Sequence, residues 1–221
     1  MTTVEKAAGR LDLHVPWTYS LATVGLVTGF VAARVIFVAG HWTAYRENLL
    51  GVVWPLTSGF NILGGLLVGA FAAFFYGRGR RLPAGATLDA IAPGVLVASI
   101  AVSLADFLAG PGYGVEADLP WSISLFGIER HPVQIYEIIV AATALLVWIW
   151  LHKKPAFDGQ LFLISAAIFF AGRLLVDAFR ANALLTSGGY HLVQILSLVA
   201  LLATLLVLMN KQTRTGIEAQ R

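Results

Sequence analysis

The sequence predicts an all-α integral membrane protein, a bundle of about six transmembrane helices with both termini cytoplasmic. Hydrophobic residues make up 58% of its 221 positions and charged residues only 12%, against about 25% charged in soluble domains. Mean hydropathy is +0.78. Six apolar stretches, residues 17–38, 57–76, 86–108, 132–151, 160–180 and 191–209, are each long enough to cross a core of about 30 Å at about 1.5 Å per residue. Basic residues flank these stretches on one side. Lys6 and Arg10 precede the first, Arg78, Arg80 and Arg81 follow the second, Lys153 and Lys154 the fourth, and Lys211, Arg214 and Arg221 the sixth. With six spans all ten share a side, which the positive-inside rule makes cytoplasmic.

The chain therefore reads as a cytoplasmic segment 1–15, a transmembrane helical domain 16–210 and a cytoplasmic tail 211–221. The first apolar run lacks a small-residue cleavage site, so it reads as a retained anchor. A net charge of +3 follows from the cytoplasmic flanks and implies no nucleic-acid partner. The absence of cysteine excludes disulfides, thiolate-bound metals and a thiol nucleophile within the chain. No cofactor or metal is expected, and no nucleotide-binding glycine motif is present. Trp17, Tyr19, Trp42, Trp54, Tyr76, Trp121, Trp148 and Trp150 cluster near span ends, as an interfacial belt would. Within the first outward loop, 39–56, the apolar patch 49–54 is too short to span and reads as an interfacial half-helix. The second, 109–131, carries turn-forming Gly110-Pro111-Gly112-Tyr113-Gly114. Gly64, Gly65 and Gly69 suit close helix contact.

Charges inside apolar spans are costly, about 2.5–3.5 kcal/mol each at a helix centre, and need partners. Arg34 lies near the outer end of the first span and Asp106 near that of the third. Arg173, Asp177 and Arg180 fall on one face of the fifth at helical spacing. The fourth span opens with Arg130-His131-Pro132-Val133-Gln134-Ile135-Tyr136-Glu137. Pro132 suits a first helical turn with His131 at the cap, and Gln134 and Glu137 share a face. All these groups are expected at one depth, in the outer leaflet. They can satisfy one another only by converging. Two uses fit. One is an ionic network holding the bundle together, Arg173 with Asp177 and Arg34 with Glu137. The other is a cationic pocket for an anionic headgroup, because the arginines outnumber the carboxylates.

The same residues resemble the prolipoprotein diacylglyceryl transferase family over roughly residues 29–197. The stretch 130–137 is similar to that family's R-H-P-S-Q-L-Y-E. Asp118-Leu119-Pro120-Trp121 resembles its D-L-P-W, residues 172–180 its F-R-x-x-V-E-F-F-R, and residues 193–197 its G-Q-x-L-S. Ala33-Arg34-Val35 resembles G-R-x-G-Y. The resemblance implies transfer of diacylglyceryl from a phospholipid of the phosphatidylglycerol type to the lipobox cysteine of a preprolipoprotein, at the outer face of the bacterial inner membrane. It implies catalytic roles for Arg173, His131, Glu137 and Asp177, and headgroup binding by Arg34, Arg130, Gln134, Tyr136, Arg180 and Gly114. Arginine clamps on a phosphate leaving group suit that chemistry. A base must also take the thiol proton.

Several positions depart from the pattern. Leu63 stands where the family has the histidine of H-G-G. Ser103, Asp106, Ala109 and Pro111 stand for an arginine, two asparagines and a glutamate in G-R-x-G-N-F-x-N-G-E. By this alignment the chain begins at the family's second span. Two functions therefore fit: a transferase of this family or a related lipid-transfer enzyme, or a catalytically inactive member serving as a lipid-binding subunit of a larger membrane complex, with other membrane subunits as partners. A transporter fits less well, since no broken-helix pair or internal repeat is present.

Overall fold

The structure, a computed structural model, describes residues 2–47, 49–53, 59–125, 127–153 and 155–219. Trp54, Lys154, Arg221 and the first two residues of the expected second span lie outside the described residues. Each of the six expected spans is a helix long and apolar enough to cross a membrane. Large apolar side chains such as Phe71, Leu146 and Leu206 are left uncovered, as lipid-facing surfaces require. The chain divides into two compact units, Met1–Thr87 and Leu88–Arg221.

In the first unit, α1 (Thr2–Arg10) is amphipathic, burying Val4, Ala7 and Ala8. Helix α2 (Val15–Gly40) starts where the His14 ring accepts the amide of Trp17, with Pro16 in the first turn. Two single turns follow, α3 (Trp42–Tyr45) and α4 (Leu50–Val53); α4 lies within the patch expected to form a half-helix. Helix α5 (Ile62–Gly79) begins later than the expected residue 57, because the Asn61 side chain caps it by accepting the Gly64 amide at 2.8 Å. Helices α2 and α5 meet along a stripe of small residues. A Cβ added to Gly69 would stand 2.5 Å from the Gly25 carbonyl oxygen, and one on Gly65 2.5 Å from the Ala33 Cβ. Only glycine permits that approach, which supplies dispersion contact where no hydrophobic driving force acts between helices. The expected packing use of Gly65 and Gly69 is the one found.

The second unit contains nearly all of α6 (Ala84–Ala109), the hairpin β1 (Ile123–Leu125) and β2 (Ile128–Arg130), α7 (Val133–Leu151), α8 (Gln160–Val176) and α9 (Leu192–Ala219). Pro93 sits inside α6 and has no N–H to give the carbonyl four residues back, that of Asp89. The indole N–H of Trp148 supplies the missing donor at 2.9 Å. Trp148 is therefore core, 2% exposed, and not part of the expected interfacial belt. The Asp89 carboxylate meanwhile accepts the amides of Gly159 and Phe162 at 2.7 Å each. It caps α8 from a neighbouring helix, because Gly159, at φ +94°, makes no side-chain cap of its own. Between α7 and α8, a Cβ on Gly172 would collide with the Val140 side chain, so the two helices approach closely just beside Glu137 and Arg173.

Two local expectations are corrected. Helix α7 begins at Val133 with Pro132 as its N-cap, one position later than a Pro132 first turn with His131 at the cap. The fifth span is α only to Val176. A 3₁₀ turn, Asp177–Phe179, follows, and Arg180 is extended at φ −83°, ψ 123°. Arg180 therefore leaves the helical face it was expected to share with Arg173 and Asp177.

Candidate functional site

Extended backbone fixes two arginines beside the end of α8. Gly114 forms an antiparallel bridge with Arg180, and Glu116 one with Arg130; the Val115 amide reaches the Phe179 carbonyl at 2.8 Å and the Ala181 amide that of Tyr113 at 3.1 Å. Arg130 is held a second time by the hairpin, paired with Ile123. Gly114 makes this possible. A Cβ there would collide with the carbonyl oxygen of His131, so the position requires glycine for backbone clearance. The Gly114 carbonyl also accepts an N–H of Arg130 at 3.2 Å.

Arg180 and, from α8, Arg173 converge on α7. Oε1 of Glu137 receives both Arg173 and Arg180. Its Oε2 accepts the Ser103 hydroxyl at 2.9 Å. Glu137 is 8% exposed, so a carboxylate in an apolar bundle is matched by two cations and a hydroxyl, as burial demands. The expected partner of Glu137 was Arg34, and that of Asp177 was Arg173. Asp177 instead lies 3.7 Å from Nε of Arg180 and 3.1 Å from Nδ1 of His191, with no side-chain surface exposed. The cause is the 3₁₀ turn, which swings Asp177 and Arg180 off the helical register.

Gln134 is 1% exposed and donates to the Pro111 carbonyl at 2.9 Å. Tyr136 accepts from the Trp121 indole at 2.9 Å, and His131 Nδ1 stands 3.2 Å from the same hydroxyl. Of the sequence-predicted site residues, Arg130, His131, Gln134, Tyr136, Glu137, Arg173, Asp177, Arg180 and Gly114 thus belong to the second unit. Arg34 belongs to the first. Its guanidinium donates to the carbonyls of Val52 at 2.9 Å, Gly59 at 3.0 Å and Gly51, and lies 5.4 Å from the Tyr45 ring centre. That geometry holds the loop after α2.

Two residues escaped the sequence reading. Ser103 counted only as the loss of an arginine, yet it completes the shell of Glu137. His191 counted only as the start of a span; a histidine at the mouth of an apolar helix is the signal that was there to use. Arg130 Nε, Gln134 Oε1, Asp177 Oδ1 and Arg180 Nε are buried without a hydrogen-bond partner in the described structure. Such atoms are rare; two of them are guanidinium donors and two are acceptors, and Asp177 Oδ1 and Arg180 Nε face each other at 3.7 Å. Arg173 and Arg180 share Glu137, and Arg180 also faces Asp177. Among the described residues no metal-binding trio of His, Asp or Glu occurs.

Comparison with known proteins gives one answer. A family model described as prolipoprotein diacylglyceryl transferase matches residues 2–210. Similar proteins named phosphatidylglycerol–prolipoprotein diacylglyceryl transferase include that of Clostridioides difficile (strain 630), 23% identical over 97% of this chain and 87% of its own. That of Enterococcus faecalis (strain ATCC 700802 / V583) is 26% identical over 96% and 82%. That of Thermosynechococcus vestitus is 27% identical over 80% and 70%.

Proposed function

The chain belongs to the prolipoprotein diacylglyceryl transferase family, and from that premise we propose that it moves diacylglyceryl from phosphatidylglycerol to a prolipoprotein cysteine. It is a multi-pass protein of the bacterial inner membrane. In the proposed reaction the cysteine sulfur attacks the glyceryl carbon that bears the phosphate. An S–C bond forms, the C–O bond breaks, and its electron pair leaves on glycerol phosphate.

Negative charge grows on the phosphate oxygen as that bond breaks, so preorganised cations there lower the barrier. Arg173, Arg180 and Arg130 fill this role. Glu137 holds the first two side by side and Asp177 flanks Arg180, which removes the cost of assembling them when the lipid arrives. Gln134, with its free carbonyl oxygen, suits a headgroup hydroxyl. Tyr136 and His131 form the adjoining polar wall, and Arg34 donates to the carbonyls of Gly51, Val52 and Gly59. The observation that carries the reading is the double arginine contact on a buried glutamate, with Gln134 Oε1, one turn away on the same helix, buried and without a hydrogen-bond partner among the described residues.

The test uses the purified protein in vesicles with phosphatidylglycerol labelled in its acyl chains and a lipobox peptide. Label is expected on the peptide through a thioether. Arg173→Ala is expected to cut the transfer rate by about 10²–10³-fold, the usual loss on removing one stabilising donor. Failure of the unaltered protein to transfer label would overturn the reading.

A further inference from the structure

We propose that His191, oriented by Asp177, is the general base that takes the thiol proton of the acceptor cysteine, an inference that rests on the transfer reaction above. The thiolate, not the thiol, is the nucleophile, so some group must accept that proton. The arginines are permanently charged and have no acceptor site. Both oxygens of Glu137 are engaged, one by two arginines and one by Ser103. Leu63, which resembles no base, is apolar and exposed. Beside these groups the second unit places two histidines, His131 and His191.

His131 is the poorer of them. Its Nδ1 faces Tyr136, whose hydroxyl already accepts from Trp121. The phenol proton is therefore free to point at Nδ1 and occupy that lone pair. Among the described residues no carboxylate pairs with the ring to stabilise a positive charge. Its other neighbour is the Phe179 ring, 4.8 Å away between centres.

His191 has the opposite surroundings. Its Nδ1 lies 3.1 Å from both the Asp177 carbonyl oxygen and Oδ2. Both are acceptors only, so Nδ1 must carry the hydrogen and the lone pair falls on Nε2. Nε2 has no partner among the described residues, and the side chain is 27% exposed. Asp177, wholly buried, fixes the tautomer and would stabilise the imidazolium once the proton arrives, the arrangement of the carboxylate in a nucleophile–histidine–carboxylate triad. The backbone holds the ring in place: His191 bridges Leu185, and the Leu192 amide donates to the Leu184 carbonyl at 2.8 Å. Asp177 is shared, touching His191 through one oxygen and facing Arg180 through the other. Base and phosphate clamp are thus built on a single carboxylate.

The step balances. Nε2 takes the thiol proton, sulfur attacks the glyceryl carbon, and the electron pair of the broken C–O bond stays on the phosphate. The imidazolium then returns its proton to the departing glycerol phosphate or to water. Asp177 acts only as a positioning residue.

The experiment compares unaltered protein with His191→Ala, His191→Asn and Arg173→Ala in the vesicle assay. Asparagine keeps a donor towards Asp177 without a base, so unchanged thermal unfolding of that variant separates chemistry from folding. Both histidine variants are expected to lose about 10²–10⁴-fold in transfer, with retention of labelled phosphatidylglycerol unaltered. Added imidazole should partly restore His191→Ala. Transfer by His191→Asn at the normal rate, with Arg173→Ala inactive, would overturn the base assignment and leave the proposed function standing. Should the unaltered protein transfer nothing, the function falls, and alkylation of the peptide thiol decides the histidine: faster than with His191→Asn supports the base, and equal rates overturn it.

Discussion

Ser103 shows how a single side chain changes meaning once its neighbours are placed. In sequence it marks the loss of a family arginine. In the folded chain its hydroxyl donates to Oε2 of Glu137, while the cations on Oε1 come from Arg173 and Arg180. The carboxylate is thus already doubly matched without an arginine at 103. A hydrogen bond to a buried charge contributes about 1.5–3 kcal/mol, so Ser103→Ala should lower stability by that order. Thermal unfolding in detergent measures it; an unchanged midpoint would mean that Glu137 is satisfied without the hydroxyl. The arginines themselves were easier to find than their partners. Residue type and span position identified Arg173, Arg180 and Glu137 from sequence, because charge in lipid has few uses. Which carboxylate meets which arginine was not legible. It depends on Arg180 leaving the helix to pair with Gly114, and the sequence alone shows no link between positions 66 residues apart.

At the level of elements the same limit applies to α6, α7 and α8. Their lengths and apolar character were plain in the sequence, since a run of about 20 apolar residues has one stable form in lipid. Their mutual fastening was not. Pro93 removes a donor from the Asp89 carbonyl, Trp148 replaces it from α7, and the Asp89 side chain caps α8. Read along the chain, Trp148 is an interfacial anchor, and Pro93 and Asp89 are passed over. Together they form one joint among three helices. Trp148→Phe should then leave a buried carbonyl unpaired and cost about 1–3 kcal/mol. Pro93→Ala restores an amide donor four residues on, so adding it to Trp148→Phe should recover part of the loss. A double-mutant cycle by thermal unfolding checks the coupling, and strictly additive effects would refute it.

At the scale of the whole molecule, the proposed use of the cluster depends on orientation, because the acceptor cysteine of the proposed reaction is expected at the outer face. In the second unit, Lys153 and the lysine and arginines after residue 210 flank the fourth and sixth spans at the ends opposite Arg130 and His191. Orientation is therefore linked to chemistry: inverting the protein would turn the site inward. The lack of native cysteine makes the check direct, since any introduced thiol is unique. Ser124 in the hairpin and Gln212 near the end of α9 are both exposed. In intact cells a membrane-impermeant maleimide should label Ser124→Cys readily and Gln212→Cys only after permeabilisation. The reverse pattern would place the arginine cluster on the cytoplasmic side, and with it would go the argument that Arg173 and Arg180 receive the phosphate of a lipid at the outer leaflet.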